Sequence, residues 1–190
     1  MLQRVMMIAA GAVLLMVSGA SAGDQKPLTE DQAKRFAATL PALETLKKEM
    51  DAEGKTEQMA IETQPKAGEE FKPYSKAVAV LKKDHSAEHA RLAKAVKPHG
   101  FTPTQWGSVG DRVMVAYMAI KMQEQDPKSM AMMEGMDKSM LDMVPPEMRA
   151  QLESTFAMME TVKNAPEADK KAVAAVKEDL DKYMDSQDQS

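Results

Sequence analysis

Beyond the first two dozen residues, apolar positions recur at intervals of three and four, and nowhere do they alternate with period two over a useful length. That spacing stacks side chains on one face of a helix, whereas a half-buried strand requires alternation. The pattern predicts an all-α fold, a compact bundle of about five to six helices around a central apolar helix. The central helix is read over residues 103–124. Trp106, Val109, Val113, Tyr117 and Ile120 form one stripe, and Met114, Met118 and Met122 form a second beside it. A helix apolar nearly all round is normally buried. Thr102 reads as its N-cap, Pro103 as its first residue and Gln105 as the closing member of a capping box. Gly107 and Gly110 are poor helix formers, and their expected role is to let a neighbouring helix approach beside Trp106. Asp111 and Arg112 stand at the edge of the apolar stretch, where ion pairs with neighbouring helices are expected. Trp106, Asp111, Arg112 and Tyr117 together form a candidate packing or ligand cluster.

The remaining elements follow from the same reading. Thr29 and Gln32 make a second capping box, opening a helix with Ala33, Phe36, Ala37 and Leu40 inward. Pro41 kinks or restarts it, and Leu43, Leu46 and Met50 carry the pattern on. Residues 54–70 lack periodicity and read as a loop, with one weak turn around Met59 and Ile61. Ser75 is read as the cap of the next helix, whose face is Val78, Leu81, His85, His89, Leu92 and Val96. Pro98-His99-Gly100 stops it. Asp126-Pro127 begins another, with Met130, Met133, Met136, Met140 and Val144 inward. Pro145-Pro146 divides it from a helix carrying Met148, Leu152, Phe156, Met159 and Val162. The last helix follows Pro166, with Val173, Val176, Leu180 and Met184 on one side. Residues 185–190 read as a polar tail.

The amino terminus changes the expected location. Met1 to Arg4 is a positive start, Val5 to Val17 is apolar, and Ala20-Ser21-Ala22 offers small residues for a signal peptidase. Residues 1–22 are expected to be a cleaved signal peptide, leaving 23–190 as a single helical domain, periplasmic or secreted, without a stable membrane anchor. Composition narrows the chemistry. The chain has no cysteine, which removes disulfides, thiolate metal sites, a cysteine nucleophile and a lipid-bearing cysteine. With Arg4 in the leader, 24 basic residues face 29 acidic ones, a net charge of −5. A mildly acidic chain without a basic block argues against nucleic acid and anionic membrane as partners.

Three patterns carry candidate chemistry. His85-Ser86-Ala87-Glu88-His89 matches the H-x-x-E-H pattern of inverted zinc peptidases, in which two histidines on one helical face hold zinc and Glu serves as base. The acidic third ligand and large mixed domain of those enzymes are not evident, so a simple metal-binding pair or two semi-buried bundle histidines are the competing readings. The mature part holds 15 methionines, 12 of them between Met114 and Met159. Clustered thioethers suit Cu(I) or Ag(I), and the run resembles methionine motifs of periplasmic copper-handling proteins. Methionine is also a pliable core filler at several of these positions. Met132 and Met143 lie off the main stripe and are the better candidate ligands.

Leu28-Thr29-x-x-Gln32 and Phe101-Thr102-x-x-Gln105 resemble the paired L-T-x-x-Q motifs of the Spy/CpxP family of periplasmic chaperones and metal-stress proteins. The resemblance implies a cradle-like helical dimer that binds unfolded clients without ATP. The block His99-Gly100-Phe101, Trp106 and Gly110-Asp111-Arg112-Val113-Met114-x-Ala116-Tyr117 resembles a set of small exported helical proteins of Gram-negative bacteria that carries no known function. Together these features give a non-enzymatic exported binding or interaction protein, chaperone-like in envelope stress, with an unidentified protein partner or client and no cofactor. The alternative is a soft-metal protein binding Cu, Ag or Zn through His85, His89, Met132 and Met143. No nucleophile–base set or metal triad assembles in the sequence, and an enzyme is not expected.

Overall fold

The computed structural model describes residues 26–59, 61–66, 68–124 and 144–187. Residues 1–25, the expected helix from Asp126 with its methionine run from Met130 to Met143, and the last three residues lie outside the described residues. Among those described, every regular element is helical, as the apolar period requires. The elements are α1 (Glu30–Ala37), α2 (Leu40–Ala52), α3 (Lys55–Met59), α4 (Pro73–Asp84), α5 (Ser86–Val96), a short 3-10 turn (Lys97–His99), α6 (Pro103–Glu124), α7 (Pro146–Lys163), α8 (Glu167–Ala174) and α9 (Lys177–Gln187). No described helix is long and apolar enough to cross a membrane.

The helix expected over 103–124 is α6, and it lies at the centre, packing against α1, α4, α5, α7 and α8. Its start is built as expected. Thr102 N–H donates to Gln105 Oε1 (3.1 Å), and Gln105 N–H donates to Thr102 Oγ1 (3.3 Å). Phe101 and Trp106, both buried, occupy the two positions that a hydrophobic staple uses. The same capping box forms between Thr29 and Gln32 at the start of α1. Gly100 stops the preceding turn with φ +78°, a conformation that glycine adopts without penalty.

The main core joins α1, α4, α5, α6, α8 and α9 through Phe36, Val78, Val96, Val113, Val173 and Leu180, among others. Phe36, Tyr74 and Trp106 form an aromatic triad. The Phe36 and Trp106 rings stack at 5.7 Å, and Tyr74 meets both edge-on at 5.6 and 5.2 Å. The glycines make room for it: a Cβ on Gly110 would stand 2.8 Å from Phe36 and 2.9 Å from Tyr74. A smaller cluster of Val115, Ala119, Val162 and Ala165, with Phe71, Met118 and Met122 against it, fastens α7 to the other side of α6.

Several expected stretches are subdivided. The first breaks at Ala38-Thr39, next to the restart expected at Pro41: the Thr39 hydroxyl donates to the Phe36 carbonyl (2.6 Å) and Pro41 supplies no N–H for a continuing ladder. The stretch read as running through His85 breaks there, with φ −136° and ψ 62°. Ser75 is not the cap of its helix, because α4 begins at Pro73. The 54–70 loop contains a helix, α3, which buries Met59, and the expected tail is helical as far as Gln187.

Candidate functional site

The site grows from two adjacent charged residues on α6. Asp111 is buried, and its Oδ1 accepts N–H bonds from Tyr74 (2.8 Å) and Ser75 (3.2 Å) in the first turn of α4. The N-cap residue, Lys72, makes no side-chain cap of its own. The Asp111 carboxylate therefore supplies the cap from another helix, and its negative charge meets the positive end of the α4 dipole. Burial raises its pKa above the usual carboxylate value, and hydrogen bonds from Ser75 and Tyr74 pull it partly back.

Arg112 forms a planar fork with Asp169 of α8. Its Nε donates to Oδ2 (2.8 Å) and its Nη2 to Oδ1 (2.6 Å). The third arm, Nη1, donates to the carbonyl of Lys26 (2.9 Å), while Asp169 Oδ1 also accepts the Leu28 N–H (2.9 Å). Asp169 is only 2% exposed, and the two-point geometry together with the backbone N–H satisfies a charge that would be costly to bury alone. One ion pair thus joins α6, α8 and the chain entering α1.

Both carboxylates face a cleft of about 700 Å³ between the segment 68–72, α6, α7 and the start of α8. Phe71, Val115, Phe156, Ala157, Ala165 and Pro166 give it apolar walls, and Glu69, Glu70, Lys72, Glu153 and Glu160 add charge. Its volume is that of an ordinary ligand site. Glu69 pairs with Lys76 (2.8 Å) and Glu70 with Lys72. Glu153, half-buried on α7, makes no ion pair or hydrogen bond with the described residues.

The four residues expected as one cluster are distributed over three environments. Asp111 and Arg112 line the cleft. Trp106 lies in the aromatic core, where its Nε1–H donates to Thr39 Oγ1 (3.1 Å). Tyr117 lies one turn and more further along α6, its hydroxyl donating to Asp181 Oδ1 (2.6 Å) of α9. Asp181 also accepts from Lys177 (2.8 Å) and Lys121 (3.1 Å), and these bonds, that from Lys177 foremost, hold its pKa far below the usual range. The ion pairs expected for Asp111 and Arg112 resolve into a helix cap for the first and a fork to Asp169 for the second.

His85 and His89 do not share one continuous helix. His85 stands at the break before α5, His89 closes its first turn, and both are half-buried. Glu88, between them, is buried and paired with Lys55 (2.8 Å), which lowers its pKa. Among the described residues no group of three His, Asp or Glu side chains is placed to hold a metal ion. Met132 and Met143 lie outside the described residues.

Sequence reasoning missed Asp169, Glu153 and Thr39. Asp169 had a legible signal: with Ala172, Val173, Val176 and Leu180 it falls on the apolar stripe, where a charge implies a buried partner. No family model, curated protein or solved structure matches the chain.

Proposed function

We propose that the protein is a non-enzymatic, exported binding protein, chaperone-like in the cell envelope, that holds a segment of a protein partner in the cleft beside α6. The observation that carries this reading is the combination of an open 700 Å³ volume and an apolar wall built from Phe71, Val115 and Phe156. Exposed apolar concavities of this kind mark binding sites. The charged groups at its floor favour binding over catalysis. Asp111 is committed to the N–H groups of α4, and Arg112 and Asp169 are committed to each other and to the chain entering α1.

Suppression of the aggregation of a reduced, unfolding globular protein at stoichiometric amounts tests the proposal. The protein is expected to suppress it, and Phe156→Asp is expected to suppress it much less while leaving the helical circular dichroism intact. No suppression against several clients contradicts the proposal.

A further inference from the structure

We infer that the segment taken by the cleft is cationic as well as apolar, a stretch in which Lys or Arg flanks large aliphatic or aromatic side chains. This rests on the reading of the cleft as a protein-binding site and adds the chemistry of its partner. Among the described lining residues six are carboxylates (Glu69, Glu70, Asp111, Glu153, Glu160 and Asp169) and two are cations (Lys72 and Arg112).

The two cations differ in commitment, Arg112 being locked to a buried carboxylate and Lys72 lying in an exposed pair. Arg112 spends its fork on Asp169 and its third arm on the Lys26 carbonyl, and Lys72 pairs with Glu70. An anionic segment could recruit Arg112 only by opening the Arg112–Asp169 fork, leaving Asp169 buried with its charge unmatched, and would otherwise face the carboxylates with Lys72 alone. A wholly apolar segment would bury Glu153 beside it without compensation. A Lys or Arg side chain meets neither objection. Glu153 has no cationic partner among the described residues, and Phe156 follows it three residues later on α7, so both present to the same cleft. A carboxylate beside an aromatic ring receives an ammonium or guanidinium through charge and through the ring face together. The net charge of −4 over the whole chain steers cations toward the protein in the same sense.

Fluorescence anisotropy with short labelled amidated peptides of leucine and phenylalanine tests the inference on the purified protein. One peptide carries two lysines, a second two glutamates and a third two glutamines. The lysine peptide is expected to bind at least about tenfold more tightly than the glutamate peptide, with a preference that shrinks as salt is raised. Glu153→Gln is expected to weaken the lysine peptide about fivefold, the equivalent of the ~1 kcal/mol that unit charges 4 Å apart retain in water, and to leave the glutamine peptide unchanged. Equal binding of all three peptides, or preference for glutamate, overturns the inference while the cleft reading stands. Lysine-peptide binding indifferent to both Glu153→Gln and Phe156→Ser overturns its placement in this cleft. Binding of none of the peptides overturns the inference and the protein-binding reading together.

Discussion

At the scale of single residues, Asp111 shows how one carboxylate serves two elements. It belongs to α6 by sequence and to α4 by function, because it accepts the N–H groups of Tyr74 and Ser75. Asp111→Ala leaves those donors without an acceptor and is expected to destabilise by about 2 kcal/mol in denaturant unfolding, with Asp111→Asn milder because one oxygen remains. The pH dependence has a definite sign. Burial raises the Asp111 pKa in the folded state above 3.8, so the folded protein holds that proton more tightly than the unfolded chain. Its contribution to stability is full below 3.8 and is lost as pH rises through the raised value. The stability of wild type relative to Asp111→Asn should therefore fall over that interval. Trp106, 6% exposed and bonded to Thr39, is expected to cost about 3–5 kcal/mol as Trp106→Ala. As the only tryptophan, it should also emit at short wavelength in the native state. The burial of Trp106 was readable from its stripe. The cap formed by Asp111 was not, since its recipients lie 36 and 37 residues away and nothing local marks them.

At the scale of elements, Gly107 and Gly110 set how closely α1 and α4 approach α6. An alanine at an exposed helical position gains about 1 kcal/mol over glycine through backbone entropy. At Gly110 the added methyl would meet two packed aromatic rings under 3.0 Å, and overpacking of that kind typically costs 1–3 kcal/mol. Gly110→Ala is expected to lower the thermal midpoint, and by more than Gly107→Ala, where the closest side-chain contact is 3.2 Å to Val78. The joint between α6 and α9 makes the opposite pH prediction to Asp111. Lys177, Tyr117 and Lys121 lower the Asp181 pKa below 3.8, so its stabilisation is present above 3.8 and fades as pH falls below it. Asp181→Asn should destabilise at neutral pH, and the difference from wild type should close in acid. Helix type and the position of α6 were legible because 3.6-residue periodicity survives any tertiary detail. The restart after Thr39 was signalled by Pro41, but the break at His85 was not. A single residue turns the backbone there without interrupting the apolar stripe, which continues from α4 into α5 through Val78, Leu81, Leu92 and Val96.

At the scale of the whole molecule, α6 divides the protein's work. Toward α1, α4, α8 and α9 it builds the core, and toward α7 it leaves a cleft walled by Phe71, Val115 and Phe156. The soft-metal alternative makes a separable prediction. If thioethers and imidazoles are ligands, Cu(I) or Zn(II) should raise the unfolding midpoint by mass action, and Met132→Leu with Met143→Leu, or His85→Gln with His89→Gln, should remove the shift. The binding-protein reading predicts no such shift. The most direct test of that reading follows the backbone amide signals of the isotope-labelled protein while a reduced, carboxymethylated, permanently unfolded protein is added. Shifts are predicted for residues 68–72, for Arg112 and Val115, and along 153–165, with the α2–α5 face, where Arg91 of α5 pairs with Glu49 of α2 (2.6 Å), unmoved. An absence of shifts at excess client, or shifts confined to the α2–α5 face, would contradict the account.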